Sequence, residues 1–507
     1  MKTYSLWVKA MILLSLATGF AFSGAYSQEQ FRLSDYVNPD YRWKKLDFGF
    51  SLGGNNGFTK ETVENGISEK DLEHTFRTGF SLNYYATNNS LFYQGYQSFL
   101  FSGDIDARKE KYTDENADLE SSYKSNSQDL TFYGGTVNRF YNRKKQFFEA
   151  DVFMTGTLRN SNGQYSADFE ELPFKYKTTN RDYWLDVSMP LLVGLGRIEE
   201  VQDARLAVYI LDDLTKSGDL KRALENEEIM AFAHFITETK NQRYFDLRLK
   251  KIAEITAIDS FLTVLDLKAK SGASYYTLLN DNWDNAMLPV RMSGGRFSIG
   301  LVPGIKWNTD EYASYYRDTL SSPDIIQDYA DIDKGNSFDR SLSFKALYSW
   351  EKPSSLYWQH SVNSSFIYTL NDYQSDNKIY DQDTLTSESE YWKDIPELLL
   401  SLSYRIAYYP NTRTKISLRI NSDLEQNWYE ATVNDEPQLK SDDLALSNGI
   451  LLSCYYYISP RLRFTLDLTS NYTYDLNNQE GPVEVFTKEK LHGLSNSINA
   501  SIRYSIF

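Results

Sequence analysis

The last ten residues of the chain, Ile498 to Phe507 (INASIRYSIF), alternate apolar and polar side chains. Because successive side chains of a β-strand point to opposite faces, this segment predicts a strand with one apolar and one polar face. Such a strand needs an apolar environment on one side and a polar one on the other. A strand between lipid and a water-filled interior meets both needs.

The N-terminal segment has the order of a secretory signal peptide. Lys2 and Lys9 precede an apolar run from Ala10 to Phe22, and Ala25-Tyr26-Ser27 follows as a small-x-small site, so cleavage is expected after Ser27. The apolar run is shorter than the roughly 18 to 20 residues of a spanning helix, and no later stretch approaches that length. A membrane protein without such a helix is expected to be a closed barrel, because every backbone group in lipid needs an internal partner.

The alternating segment Ile498 to Phe507 resembles the C-terminal signature of Gram-negative outer-membrane β-barrels. The resemblance is generic to that class, porin-like and channel-type proteins included. It implies an outer-membrane location, with outer-membrane lipid and the outer-membrane insertion machinery as partners.

Composition and charge exclude several classes of protein. Cys454 is the only cysteine and lies far from the cleavage site, so neither a lipid anchor nor an intrachain disulfide is expected. The formal charge of −16 becomes more negative once Lys2 and Lys9 are removed, which excludes the usual basic type of nucleic-acid binder. The mean hydropathy of −0.52 is uninformative for alternating strands. The 39 tyrosines and 29 phenylalanines favour membrane interfaces, with a Tyr-rich soluble β-sandwich as the alternative.

Alternation predicts about fourteen strands, an even number as bacterial barrels require. Their predicted ranges are 43–51, 75–86, 90–101, 129–138, 146–159, 180–191, 296–309, 338–351, 356–369, 397–409, 412–428, 446–458, 461–474 and 493–506. Short turns alternate with long polar segments, which we interpret as periplasmic turns and extracellular loops, with both termini in the periplasm. The long segments are 52–74, 102–128, 160–179, 310–337, 370–396, 429–445 and 475–492.

One connection breaks this rhythm. Where a short periplasmic turn is due after the sixth strand, residues 192–290 have helical spacing and predict three or four short helices. Gly218 indicates a helix end, and Asn226 before two glutamates indicates a helix start. The predicted organisation is a signal peptide (1–27), barrel strands 1–6 (28–191), a helical periplasmic insertion (192–290) and barrel strands 7–14 (291–507).

In each predicted strand, the charged residues that alternate with the apolar ones are predicted to point into the barrel. A basic group lies on strands 10, 11, 13 and 14, and an acidic group lies on strands 5 and 6, about half a ring away. Opposed charges of this kind would orient and filter solutes, as at a porin constriction. The alternative is that they pair directly and fill an interior that conducts nothing. The residues are Arg405, Lys415, Arg419, Arg463 and Arg503 in the basic group, and Glu149, Asp151, Asp182 and Asp186 in the acidic group.

Three other motifs give weaker indications of chemistry. His360 in QHSVNSSF invites comparison with outer-membrane phospholipases, but it shows no partner acid, and an interface histidine is the preferred interpretation. The alternating run Asp331 to Asp339 is faintly like a calcium loop, and a solvated acidic loop is preferred. Gly194-Leu195-Gly196 is predicted to be a hinge into the insertion, and the dispersed histidines do not predict a zinc site.

The sequence therefore predicts an all-β transmembrane antiparallel barrel of about 14 strands with an α-helical periplasmic insertion. The expected function is a channel for small polar or charged solutes, without catalysis, cofactor or metal. The alternative is a non-conducting outer-membrane anchor whose helical insertion docks a periplasmic partner or mediates assembly.

Overall fold

The computed structural model describes residues 31–504 except 63–67, 115–118, 170–171, 243–246, 286–289, 319–326, 382–383, 395, 412, 434–435, 460–461 and 481–485. Leu33–Phe507 forms one compact unit, and its described residues make a single antiparallel sheet of seventeen strands, with four α-helices between β8 and β9. The predicted signal peptide lies outside the described residues. The elements are β1 (Tyr41–Thr62), β2 (Ser68–Ser90), β3 (Tyr93–Asp114), β4 (Leu119–Tyr141), β5 (Gln146–Ala150), β6 (Val152–Phe169), β7 (Leu172–Ser188), β8 (Leu191–Glu200), α1 (Gln202–Lys216), α2 (Asn226–Lys240), α3 (Leu247–Val264), α4 (Ala273–Asn285), β9 (Met292–Asp318), β10 (Gln327–Pro353), β11 (Trp358–Asp381), β12 (Thr384–Asp394), β13 (Glu397–Tyr408), β14 (Thr414–Val433), β15 (Glu436–Ser459), β16 (Leu462–Glu480) and β17 (Phe486–Tyr504).

The seventeen strands form fourteen passes, because three passes are each interrupted once. β4 pairs with both β5 and β6, β9 with both β7 and β8, and β14 with both β12 and β13. Two of the breaks contain a proline, Pro190 or Pro396, which lacks the N–H that a ladder needs. Each of the fourteen predicted strands overlaps one of these passes.

The passes extend much further than predicted. β1 runs for 22 residues and β9 and β10 for 27 each, whereas a tilted strand crosses a bilayer in about 9–11 residues. The seven long polar segments predicted as loops are therefore largely strand, and this part of the prediction is wrong. Polar and aromatic side chains on both faces pair across strands in water as well as against lipid, so polarity alone did not mark the strand ends.

The two faces of the sheet differ in chemistry. On one face, apolar side chains are solvent-exposed along every pass, such as Phe48 (72%), Leu301 (48%), Leu418 (38%) and Ile498 (78%). The opposite face carries many serines and charged side chains of the same strands, among them Asp186, Lys306, Ser403 and Arg405. We call these the apolar face and the polar face. An exposed apolar surface of this extent marks contact with lipid or with another protein.

The sheet has two terminal strands. β1 pairs with β2 and β17 pairs with β16, and no ladder joins β1 to β17 among the described residues. Their apolar side chains are the most exposed ones of the described strands, with Phe48 and Phe50 at 72% and 68% and Ile498 and Ile502 at 78% and 70%. Both terminal strands therefore lack a neighbour on one side.

The helical insertion begins later than predicted, at Gln202. Residues 191–200 are strand β8, so Gly194-Leu195-Gly196 lies within a ladder and is not a hinge; Gly196, at a φ of +90°, lies against the backbone of Gly295. α1 ends at Lys216, followed by Gly218 at a φ of +72°, and α2 starts with a capping box between Glu225 and Glu228. None of the described helices is long and apolar enough to cross a membrane.

The N-terminal tail fastens the helical insertion to the sheet. Tyr36 is 1% exposed, and its hydroxyl lies 2.6 Å from Thr237 Oγ1 on α2. Asn38 donates to the carbonyl of Glu200 at the end of β8, 2.8 Å away. The insertion and this tail lie at the end of the sheet where the short turns are.

Candidate functional site on the polar face

The register places the predicted basic residues on the polar face. Arg405 lies directly opposite Arg419 across β13 and β14, and Arg463 lies opposite Arg503 across β16 and β17. Lys415 shares this face, with Nζ 5.4 Å from the ring centroid of Tyr455. These cations lie near the end of the sheet that carries the short turns, which we call the turn end.

The predicted acidic residues lie on the same face and have basic or polar neighbours. Glu149 forms a buried ion pair with Arg139, with 2.6 Å between Arg139 Nε and Glu149 Oε2. Asp151, at the break between β5 and β6, accepts a hydrogen bond from the backbone N–H of Asn138 at 2.9 Å. The last two are opposite other charges: Asp186 faces Lys306, and Asp182 lies between Arg159 on β6 and Asp310 on β9.

The sequence interpretation missed several charges on this face. Lys306 has the polar phase of its predicted strand, so the phase rule would have found it. Glu351 is the last residue of its predicted strand 338–351, and it is paired with Ser361 in the β10–β11 ladder. With Arg139, Lys306 and Glu351 included, both charge groups contain residues of each sign.

A hydrogen-bonded chain links the helical insertion to the basic group. Arg291, the residue before β9, donates to the Gln359 side chain at 3.2 Å, and Gln359 donates to Glu351 at 2.9 Å. Glu351 lies 3.6 Å from Arg405, and both bond to the Ser361 hydroxyl, at 2.5 and 2.8 Å. Hydrogen bonds therefore connect the end of the insertion to the charges on the polar face.

Two buried arginines pack against the same tyrosine at the end of the sheet where the helical insertion lies. Arg205 on α1 and Arg291 are 0% and 1% exposed, and both guanidinium carbons lie 5.1 Å from the ring centroid of Tyr409. Arg291 also donates to the backbone carbonyls of the β10–β11 turn, at 2.8 Å to Ser355 and 2.7 Å to Trp358. Burial lowers the pKa of Arg291 to about 10, so it stays protonated near neutral pH. We call Arg205, Arg291, Gln359 and Tyr409 the mouth cluster.

The other residues that the sequence singled out lie on strands β10 and β11. His360 lies on the apolar face, with Nδ1 2.9 Å from the Tyr404 hydroxyl, and its ladder neighbours are Lys352 and Ile406. The run Asp331 to Asp339 belongs to strand β10 and is not a loop. Within the described residues, no group of three His, Cys, Asp or Glu side chains could hold a metal ion.

No protein-family model and no curated protein matches the chain. Solved structures similar to it include the outer membrane protease OmpT from Escherichia coli (8% identity, TM-score 0.17, covering 42% of this chain and 87% of that one). Others are the transport unit of the autotransporter AIDA-I from Escherichia coli (9%, TM-score 0.19, 96% and 94%) and a mutant of the TodX monoaromatic hydrocarbon channel (11%, TM-score 0.23, 93% and 92%). These are outer-membrane β-barrel proteins, the class that the sequence resemblance predicted. At these TM-scores they carry no information about solute or mechanism.

Proposed function

We propose that the chain is an outer-membrane β-barrel whose polar face lines a channel for small polar or charged solutes. The observation that carries this proposal is the register, which brings charged side chains from neighbouring passes, such as Asp186, Lys306, Arg405, Arg419 and Arg463, to one face and exposed apolar side chains to the other. A polar interior and a lipid-facing exterior require this separation. The short turns and the helical insertion would then lie on the periplasmic side.

We expect β1 and β17 to pair and close the sheet, because each strand has one edge whose backbone N–H and C=O groups have no ladder partner among the described residues. With Cys454 replaced by serine, Ser51→Cys on β1 should form an intramolecular disulfide with a cysteine at one of the polar-face positions Ser495, Ser497, Asn499 or Ser501. Paired strands bring Cα atoms within the roughly 4.4–6.8 Å that a disulfide allows. Cysteines at Ile498 or Ala500, on the other face, are the control and should not react. Intermolecular products alone would show that the edges join different molecules.

The basic group is expected to set ion selectivity. Replacing Arg405 and Arg419 together by glutamine removes two positive charges that face each other on the polar face, so the reversal potential in a salt gradient should shift toward cation selectivity. Planar-bilayer recordings of the purified protein measure this shift. Arg222→Gln, which changes an exposed arginine of the insertion, is the matched control. Steady conductance with unchanged selectivity in the double variant would place the conducting path elsewhere.

A non-conducting anchor is the second candidate, and the mouth cluster favours it, because buried arginines hold the insertion firmly at one end of the sheet. A correctly folded barrel that is silent in bilayers would support this function. The helical insertion would then be the part that docks a partner or another copy of the chain.

We propose no catalytic role for His360. Its hydrogen bond with Tyr404 occupies Nδ1, whereas hydrolysis needs a base within reach of a nucleophile and oriented by a third group. Phospholipid hydrolysis by the purified protein and by His360→Ala should be equal and indistinguishable from a lipid-only blank. Activity that disappears in the variant would assign an enzymatic function.

A further inference from the structure

A cavity of about 230 Å³ lies on the polar face, one row of residues above the Glu351–Arg405 pair. Its polar lining comes from β10, β11, β13 and β14. Three of these side chains are consecutive in register, since Asn363 is opposite Ser349 on one side and opposite Ser403 on the other. The polar lining includes Ser349, Asn363, Ser365, Ser403, Asn421 and Asp423.

We propose that this cavity binds a neutral, polyhydroxylated solute of about monosaccharide size, and this inference rests on the proposed channel function. Serine hydroxyls and asparagine amides each donate and accept hydrogen bonds, and the Asp423 carboxylate accepts them, which matches neighbouring hydroxyl groups of a sugar. Leu347, on the polar face of β10, also lines the cavity and offers apolar contact to the C–H groups of a sugar ring. The volume is below the roughly 300–1,000 Å³ of sites for drug-sized ligands, so a small solute fits best.

The charges around the cavity favour a neutral solute over an anion. In the next row, Arg405 is paired with Glu351, and the positive charge of Arg419, opposite Arg405, is offset by the negative charge of Asp423 in the cavity lining. Asp423 is the acidic residue of the lining and would repel an anion further. Ser403 donates to Asn421 Oδ1 at 3.2 Å, which orients both groups toward the same space.

Glucose is the probe for the test. Its binding to the detergent-solubilised full chain is measured by saturation-transfer NMR, and its passage by swelling of liposomes that contain the protein. In the double variant S403V/N421L, the loss of two hydrogen-bonding groups should weaken glucose binding by about tenfold or more. The matched control S497V/N499L makes the same changes on the polar face of β17, away from the cavity, and should bind glucose within about twofold of the wild type.

The outcomes separate the cavity from the channel. Equal loss in both double variants, or tighter binding of glutamate than of glucose by the wild type, would overturn the proposal. Glucose binding that S403V/N421L abolishes, in a protein that neither conducts ions nor swells liposomes, would keep the binding site and overturn the channel. Passage of glucose that neither variant changes would keep the channel and overturn the site.

Discussion

Replacing Arg291 by methionine is expected to weaken the docking of the helical insertion by about 3 kcal/mol, because hydrogen bonds to a charged group contribute about 1.5–3 kcal/mol each. Arg291 donates to Ser355 and Trp358 carbonyls and to Gln359, and its guanidinium lies over the Tyr409 ring. Methionine fills a similar volume but leaves these carbonyls unpaired. Burial of the charged guanidinium costs free energy, as the lowering of the Arg291 pKa to about 10 shows, and methionine does not incur this cost. The expected loss of docking free energy is therefore smaller than the sum of the lost hydrogen bonds.

Hydrogen exchange measures this loss directly. A cost of about 3 kcal/mol corresponds to about a hundredfold faster exchange of protected α1 amides, since every 1.4 kcal/mol is tenfold. Arg413→Met is the matched control, because Arg413 also joins the turn end to the insertion, through Asp281 on α4, but this pair is 32% and 41% exposed. An exposed pair contributes about 0–1 kcal/mol. Equal protection of α1 in the wild type and Arg291→Met would show that the mouth cluster does not hold the insertion.

Much of the fold could be predicted from period alone. Alternation of apolar and polar residues fixes which face a side chain takes, so all five predicted basic residues share the polar face, and each predicted strand overlaps one pass. The strand ends could not be predicted, because the outer parts of the passes have polar residues on both faces. The alternation of apolar and polar residues that marks a strand is therefore absent there. β8 was missed for a related reason: Leu191 to Glu200 contains two glycines and a helix-compatible spacing, and only its pairing with β5 and β9 makes it a strand.

The candidate site was less predictable, because its contacts join residues far apart in the chain. Arg205 and Arg291 lie in or beside predicted helical sequence, and nothing local indicates that both contact Tyr409 in the turn between β13 and β14. Gln359 has no special pattern, and it matters because it bonds both Arg291 and Glu351. Phase within a strand predicts the face of a residue, whereas the neighbour across the strand depends on register, which follows from the whole sheet.

Removing the helical insertion is expected to raise channel conductance several-fold. Residues Gln202 to Ala207 of α1 are all buried, charged side chains included, so this turn and a half of helix is enclosed by protein on every side. It is held at the turn end of the sheet by Arg205, whose guanidinium carbon lies 5.1 Å from the centroid of the Tyr409 ring, and by the chain from Arg291 to Arg405. A helix enclosed at the mouth of a channel would narrow the conducting path.

The sheet allows a clean deletion. Glu200 and Met292 are directly paired at the ends of β8 and β9, so residues 201–291 can be replaced by Asn-Gly, a two-residue hairpin turn that suits paired antiparallel strands. Single-channel conductance of this variant is compared with that of the wild type and of Arg291→Met, which keeps the insertion but loosens it. Larger conductance in the deletion, with frequent opening events in Arg291→Met, would make the insertion a movable plug. Unchanged conductance in both would mean that the helices stand beside the path, and their buried arginines would then serve to present the insertion to a partner.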